Sequence, residues 1–276
     1  MVDNRVHGAV DKATSSNAFE YAARAGYVTS GVMHLLLGYI VVRLALGGGG
    51  GASQNADQSG ALATLGSTGG GAFALWAAAV GLIGLAAWRL AETVVGSHPN
   101  EPTDDDKGAK KQIQRVKSLA LAIVYCGLAL SAIRFAMGDG QSSGQQNAGM
   151  SAQLMQSGWG KALLIIVGLV VIGVGGYHVY KGVSKKFLKD LRVSGGTWVN
   201  AVGISGYAAK GFVLAGAGLL VIVATLQADP SKAAGLDAAV KTLGQAPFGK
   251  VLLILAALGI AAFGIYNFVR ARYGRM

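Results

Sequence analysis

Positions 160–181 read GKALLIIVGLVVIGVGGYHVYK, and positions 249–270 read GKVLLILAALGIAAFGIYNFVR. Each is a run of Leu, Ile, Val, Ala and Gly about 20 residues long, the length a helix needs to cross a hydrocarbon core of roughly 30 Å. Neither alternates polar with apolar residues, so neither reads as a barrel strand. Both open on Gly-Lys-x-Leu-Leu, 89 positions apart, so one comparison displays a span and a repeat together. Working outward, the spans predicted by the same criterion are 27–46, 72–95, 116–137, 161–183, 202–226 and 249–269. The chain therefore reads as an all-α integral membrane protein with six transmembrane helices.

Composition agrees. Of 276 residues, 52% are hydrophobic and 13% charged, whereas a soluble domain carries about 25% charged residues. So few charges cannot coat a water-facing surface of this size, and so much apolar surface excludes disorder. The single cysteine, Cys126, leaves no intramolecular disulfide or multi-cysteine metal site. The first 20 residues hold no apolar core of a cleavable signal, so the first span serves as the targeting element.

Orientation follows from the Lys and Arg that flank the spans. Arg5, Lys12, Arg24, Lys107, Lys110, Lys111, Arg115, Lys117, Lys181, Lys185, Lys186, Lys189, Arg192, Arg270, Arg272 and Arg275 put 16 on one side, against 4 (Lys161, Lys232, Lys241 and Lys250) on the other. This split predicts a multi-pass membrane protein with both termini cytoplasmic. The net charge of +11 is thus a topology signal. The cations are scattered over four segments without interleaved aromatics, so no nucleic-acid partner is expected.

The repeat is threefold. Arg43-Leu-Ala-Leu-Gly47 aligns with Arg134-Phe-Ala-Met-Gly138 at an offset of 91. The offset of 89 carries Trp88 onto Tyr177 and Tyr266, and an offset of 180 carries Gly26, Tyr27 and Gly31 onto Gly206, Tyr207 and Gly211. The chain divides into a cytoplasmic tail at 1–19, a first unit at 20–96, a charged linker at 97–112, a second unit at 113–187, a linker at 188–197 and a third unit at 198–273. Two spans per unit give all units one orientation, so a pseudo-threefold axis along the membrane normal can relate them. The outer loops carry equivalent leucines, Leu65, Leu154 and Leu243, and read as short interfacial helices.

Several of these residues resemble a known family. Ala23-Arg-Ala-Gly-Tyr27 with Gly31, the Arg43–Gly47 end, Ala56-Asp57 with Gly60-Ala-Leu62, and Gly81-Leu82 with Trp88-Arg89 resemble the tandem repeat of domain-of-unknown-function family 1206. The resemblance implies a bacterial, largely actinobacterial, membrane protein with three two-helix repeats. It brings no active site. The second unit departs from the pattern at Lys117-Ser118, where Gly-Tyr is expected, and at Ala122, where glycine is. The third has Val223 in place of the arginine.

Polar residues inside spans mark candidate sites. Tyr27, Gly31, His34 and Gly38 share one helical face. Their equivalents are Ser118, Ala122, Tyr125 and Ala129, then Tyr207, Gly211, Leu214 and Gly218. The recurring small residues form a stripe that lets helix backbones approach. On it, the first, third and fifth spans would gather at the centre. Ser30, His34, Tyr125 and Lys210 would then form a polar pocket facing inward. Arg43 and Arg134, near equivalent outer ends, are candidates for an outer vestibule. Arg89 and Glu92 make a local pair, and Trp88, Tyr177 and Tyr266 read as interface belt residues. Along 183–193, Val183, Phe187, Leu188 and Leu191 share a face flanked by Lys185, Lys186, Lys189 and Arg192, a basic amphipathic stretch expected on anionic lipid.

No Walker loop, HExxH or CxxC is present. Gly140-Gln-Ser142-Ser-Gly144 matches GxSxG without a preceding strand, so it fails the context of a nucleophile elbow. The acidic run 101–106 reads as a solvated linker. The expectation is a non-enzymatic membrane protein without cofactor, either lipid-binding or a scaffold for a membrane-protein partner. The alternative is a small-solute or lipid transporter with a path near the axis.

Overall fold

The computed structural model describes residues 17–47, 55–95, 109–193 and 195–275. Most of the tail at 1–19, the glycines at 48–51 and the acidic run at 101–106 lie outside the described residues. The six long helices are α1 (Asn17–Ala45), α3 (Gly71–Val95), α4 (Ala109–Ala136), α6 (Gly158–Val183), α7 (Thr197–Gln227) and α9 (Gly249–Tyr273). All six are long and apolar enough to cross a membrane. Three short helices, α2 (Gln58–Gly66), α5 (Ser143–Met155) and α8 (Leu236–Gln245), occupy the loops that hold Leu65, Leu154 and Leu243. We call the end of the bundle that carries the short helices capped and the opposite end basal.

Neighbouring spans run in the order α4, α3, α1, α9, α7, α6. The closest pairs join successive units: α3 with α4, α6 with α7, and α9 with α1. Small residues explain why. A Cβ added at Gly211 would lie 2.5 Å from the Gly175 carbonyl oxygen, and one at Gly218 2.6 Å from that of Gly168. Added at Gly31 and Gly38, a Cβ would lie 3.0 Å from the oxygens of Gly264 and Ala257. The same offsets lead to Ala122 and Ala129 on α4 and to Ala79 and Ala86 on α3, all buried. The stripe is therefore consumed by pairing each first helix of a unit with the last helix of the preceding unit, so α1, α4 and α7 do not gather as an inner set.

The capped end is tied together by its loops. Asp57 caps α2, accepting from Gly60 N at 3.0 Å. Ser59 Oγ accepts from Ser143 N at 3.0 Å, which joins the first loop to the second. Asp237 accepts from Ala56 N at 2.8 Å, which joins the first to the third. Ser142 of the GxSxG match is the cap of α5, its side chain accepting from Gln145 N.

The stretch after α6 differs from a helix lying on lipid. It forms a short 3-10 turn, Lys186–Asp190, and Phe187 and Leu191 are buried in the protein. Phe187 is stacked on Tyr207, with ring centroids 5.6 Å apart. Its carbonyl accepts from Tyr266 Oη at 2.8 Å. Arg192 N donates to Tyr273 O at 2.7 Å, and Arg275 N to Asp190 O at 2.9 Å, so the segment is clamped to the chain's end. The interior outcompetes the leaflet because these aromatic partners already present a packed, hydrogen-bonding surface. The belt assignment changes for the same reason: Trp88 and Tyr266 are buried, and only Tyr177 is exposed.

If the small-residue pairs hold the bundle, Gly211→Leu should lower unfolding stability in detergent by about 1–3 kcal/mol through overpacking. Gly173→Leu, where an added Cβ meets nothing within 4 Å, should leave it unchanged. Equal losses would remove the pairing argument.

Candidate functional site

Toward the basal end from each small-residue pair lies a second set of equivalent positions. These are Tyr27, Ser118 and Tyr207 on the first helices and Glu92, Lys181 and Arg270 on the last ones. They meet by the same pairing. Arg270 Cζ lies 4.5 Å from the centroid of the Tyr27 ring. Lys181 Nζ lies 5.4 Å from that of Tyr207. Ser118 Oγ donates to Glu92 Oε2 at 3.0 Å. One structural position thus carries a carboxylate in one unit and cations in the other two.

Two carboxylates serve this cluster. Glu92 accepts from Trp88 Nε1 at 2.6 Å and from Arg89 Nη1 at 2.5 Å as well as from Ser118. Asp190, delivered by the 3-10 turn, accepts from Lys181 at 2.6 Å and faces Arg270 at 3.9 Å. Burial opposes charge on Asp190, but Arg270 and Lys181 outweigh it and hold the carboxyl below its usual range. At the same end Arg24 donates to the terminal carbonyls of Ala271 and Arg272 and to Glu20. The hydrogen bond from Arg24 holds the Glu20 carboxyl low as well.

The cations outnumber these partners. Arg89 pairs with Glu92, and Lys181 and Arg270 share Asp190, which leaves Lys210. The Nε atoms of Arg89 and Arg270 are buried without a hydrogen-bond partner. Lys210 Nζ lies 4.1 Å from the centroid of Phe263, and among the described residues no carboxylate or carbonyl accepts from it.

Of the pocket expected from sequence, His34 and Lys210 come together around Phe263. The His34 ring lies 4.9 Å from that of Phe263. Ser30 contributes its carbonyl, 2.7 Å from His34 Nδ1. A carbonyl cannot donate, so Nδ1 carries a proton. Tyr125 packs against the cluster of Tyr27, Leu85 and Trp88, within electrostatic reach of Arg89 and Arg270. Arg43 and Arg134 are exposed, and Arg43 lies 5.9 Å from the ring of Tyr39 on its own helix, so the structure does not join them in a ring. Lys185, Lys186 and Lys189 are exposed, with Lys186 Nζ 4.7 Å from the Tyr180 ring, and Arg192 bonds Glu20 at 3.4 Å.

The matched repeats make the equivalence concrete. The family described as Domain of Unknown Function (DUF1206) matches residues 25–96, 116–185 and 205–274. The chain belongs to the DUF1206 family. A relative in Bacillus subtilis (strain 168), the uncharacterized protein YxxB, is 28% identical over 259 residues, spanning 92% of this chain and 90% of its own. No solved structure matches. Each DUF1206 block opens one residue before Gly26, Lys117 or Gly206 and closes a few residues past Glu92, Lys181 or Arg270. The family repeat therefore runs from one partner of the basal contact to the other. His178, its ring 5.8 Å from that of Tyr207, was not among the expected pocket residues, nor were Asp190, Lys181 and Arg270, yet the 89-residue offset does align Glu92, Lys181 and Arg270.

Because the Asp190 and Glu20 carboxyls are held low, their stabilisation is complete above the ordinary carboxylate pKa of about 4 and is lost as pH falls through the depressed values. Melting should be flat from pH 7 to 5 and decline below about 4. Asp190→Asn should cost about 1.5–3 kcal/mol at pH 7 and flatten the acid decline. An unaltered acid profile would refute the role of Asp190.

Proposed function

We propose that the protein is a non-enzymatic, multi-pass component of the bacterial cytoplasmic membrane that binds anionic lipid at its basal end, with both termini cytoplasmic. The observation that carries this reading is the excess of cations over carboxylates within the spans, with Arg89 Nε, Arg270 Nε and Lys210 left without acceptors among the described residues. Cations held inside a membrane protein are costly unless an anion or water answers them. An anionic headgroup supplies that charge with acyl chains suited to the surrounding apolar helices. Lys185, Lys186, Lys189 and Arg192 lie at the same end and would add to the attraction. A groove of about 850 Å³ lined by Glu20, Tyr21, Arg24, Phe268, Arg272 and Tyr273 offers further headgroup contacts there. The tied loops at the capped end favour binding over a transport path. The recurrence of each pairing at equivalent positions supports a pseudo-threefold arrangement of the units.

Orientation is tested by cysteine labelling in a Cys126→Ala background. A cysteine at Ser67, exposed at the capped end, should react with an impermeant maleimide on intact cells. Reaction only after permeabilisation would reverse the assignment. Binding is tested by native mass spectrometry. Lys210→Gln should reduce retention of phosphatidylglycerol roughly fivefold, the worth of one cation near a lipid surface, with phosphatidylcholine unaffected. Equal retention of both lipids by the unaltered protein would overturn the reading.

A further inference from the structure

In the first and third units the two spans of a unit pack against one another, α1 on α3 and α7 on α9. In the second unit α4 and α6 do not pack along their length, and they are the least buried of the six. The sequence explains the difference. The α1–α3 contact is made at Gly26 and Gly81: a Cβ at Gly26 would lie 2.6 Å from Gly81 O, and one at Gly81 2.6 Å from Thr29 Oγ1. The α7–α9 contact uses the equivalent Gly206 and Gly259, where a Cβ would lie 2.6 Å from Phe263 N and 2.1 Å from Ala209 Cβ. By the same offsets, the second unit has Lys117 and Val170. A lysine and a valine in place of two glycines hold α4 and α6 apart.

Across the seam, Lys117 Nζ reaches to 5.4 Å from the Tyr177 ring. Lys117 is within electrostatic reach of both His178 and Asp190, so the seam opens beside the cation cluster. Exposed apolar residues flank it: Val124, seven residues from Lys117 on the same face of α4, and Val167, Val170 and Val174 on α6.

We infer that the α4–α6 seam is a lateral entrance through which the phosphate of an anionic diacyl phospholipid passes from the leaflet to the Lys210 and Arg270 cations, its acyl chains staying between the two helices. Charge complementarity selects the occupant. A cation excess lies behind the seam, and an apolar transmembrane helix would leave it unanswered. This rests on the anionic-lipid reading above and adds the route.

The test restores the missing glycines. Lys117→Gly/Val170→Gly should close the seam as in the other two units. Its retention of phosphatidylglycerol in native mass spectrometry should fall roughly tenfold, while binding of water-soluble glycerol 3-phosphate stays within about twofold. Lys117→Gln alone should lower phosphatidylglycerol retention only roughly fivefold, the charge without the gap. Should the double variant not fold, Lys117→Cys/Tyr177→Cys in the Cys126→Ala background, bridged by a short bis-maleimide, closes the seam instead and should give the same loss. Undiminished phosphatidylglycerol retention by a closed seam overturns the entrance. If the unaltered protein holds neither phosphatidylglycerol nor glycerol 3-phosphate, the lipid-binding reading itself falls. Cross-linking of two chains to one another through the Lys117→Cys substitution would assign the seam to a second copy and overturn the lipid route.

Discussion

With no side chain at Gly175 or Gly211, the backbones of α6 and α7 close to a distance that a single methyl would block. That approach, repeated between α9 and α1 at Gly264 and Gly31 and with alanines between α3 and α4, sets the rotation of every span. In a membrane there is no hydrophobic gain from burying one apolar helix against another, so association depends on close packing. Rotation then decides which side chains meet. Four residues basal of Gly31 is Tyr27, and six residues basal of Gly264 is Arg270, so their contact follows from the glycine pair above it. The same steps from Gly211 and Gly175 lead to Tyr207 and Lys181.

Charges tolerated at this depth need explanation. Placing a cation mid-helix costs about 2.5–3.5 kcal/mol on insertion scales. An aromatic face returns about 0.5–2 kcal/mol of that, as Tyr27, Tyr207 and Phe263 do for Arg270, Lys181 and Lys210. Carboxylates return more, but Glu92 already receives three donors and Asp190 is taken up by Lys181. Among the described residues Lys210 is left with a ring alone, which makes it the least compensated of these cations.

The spans, the repeat and the short capping helices were legible because each is a one-dimensional property: a run length, an offset, an apolar patch between polar loops. Partners were not. A stripe at Gly31 and Gly38 shows that a face is small but not what lies against it, and three equivalent stripes suggested a shared centre where there are three separate pairs. Lys181 and Arg270 lie at the ends of apolar runs, where position alone reads as topology. Their inward direction depends on a rotation set by Gly175 and Gly264 on the same helices. Phe187 and Leu191 gave a correct amphipathic face with the wrong surface against it, because Tyr207 and Tyr266 are distant in sequence. Of the four polar residues expected together, His34 and Lys210 do share Phe263, while His178 and Asp190 carried no signal without the fold.

Three copies of one repeat give a scaffold whose contacts are interchangeable, so its chemistry resides in the departures from equivalence. The pairing glycines and alanines vary little in size among units, because larger residues would separate the backbones. One turn away, equivalent positions vary freely: Glu92 against Lys181 and Arg270, Ser118 against Tyr27 and Tyr207, Ser30 against Lys210. Such changes alter charge without altering the helix contact that positions them. The change at Lys117 and Val170 is of another kind, since it removes a helix contact outright, and it is borne by the unit whose two spans can separate without loosening α6 from α7 or α3 from α4. The close pairs between units hold the bundle on either side, which leaves the second unit as the one place where the wall can be open while the fold remains closed.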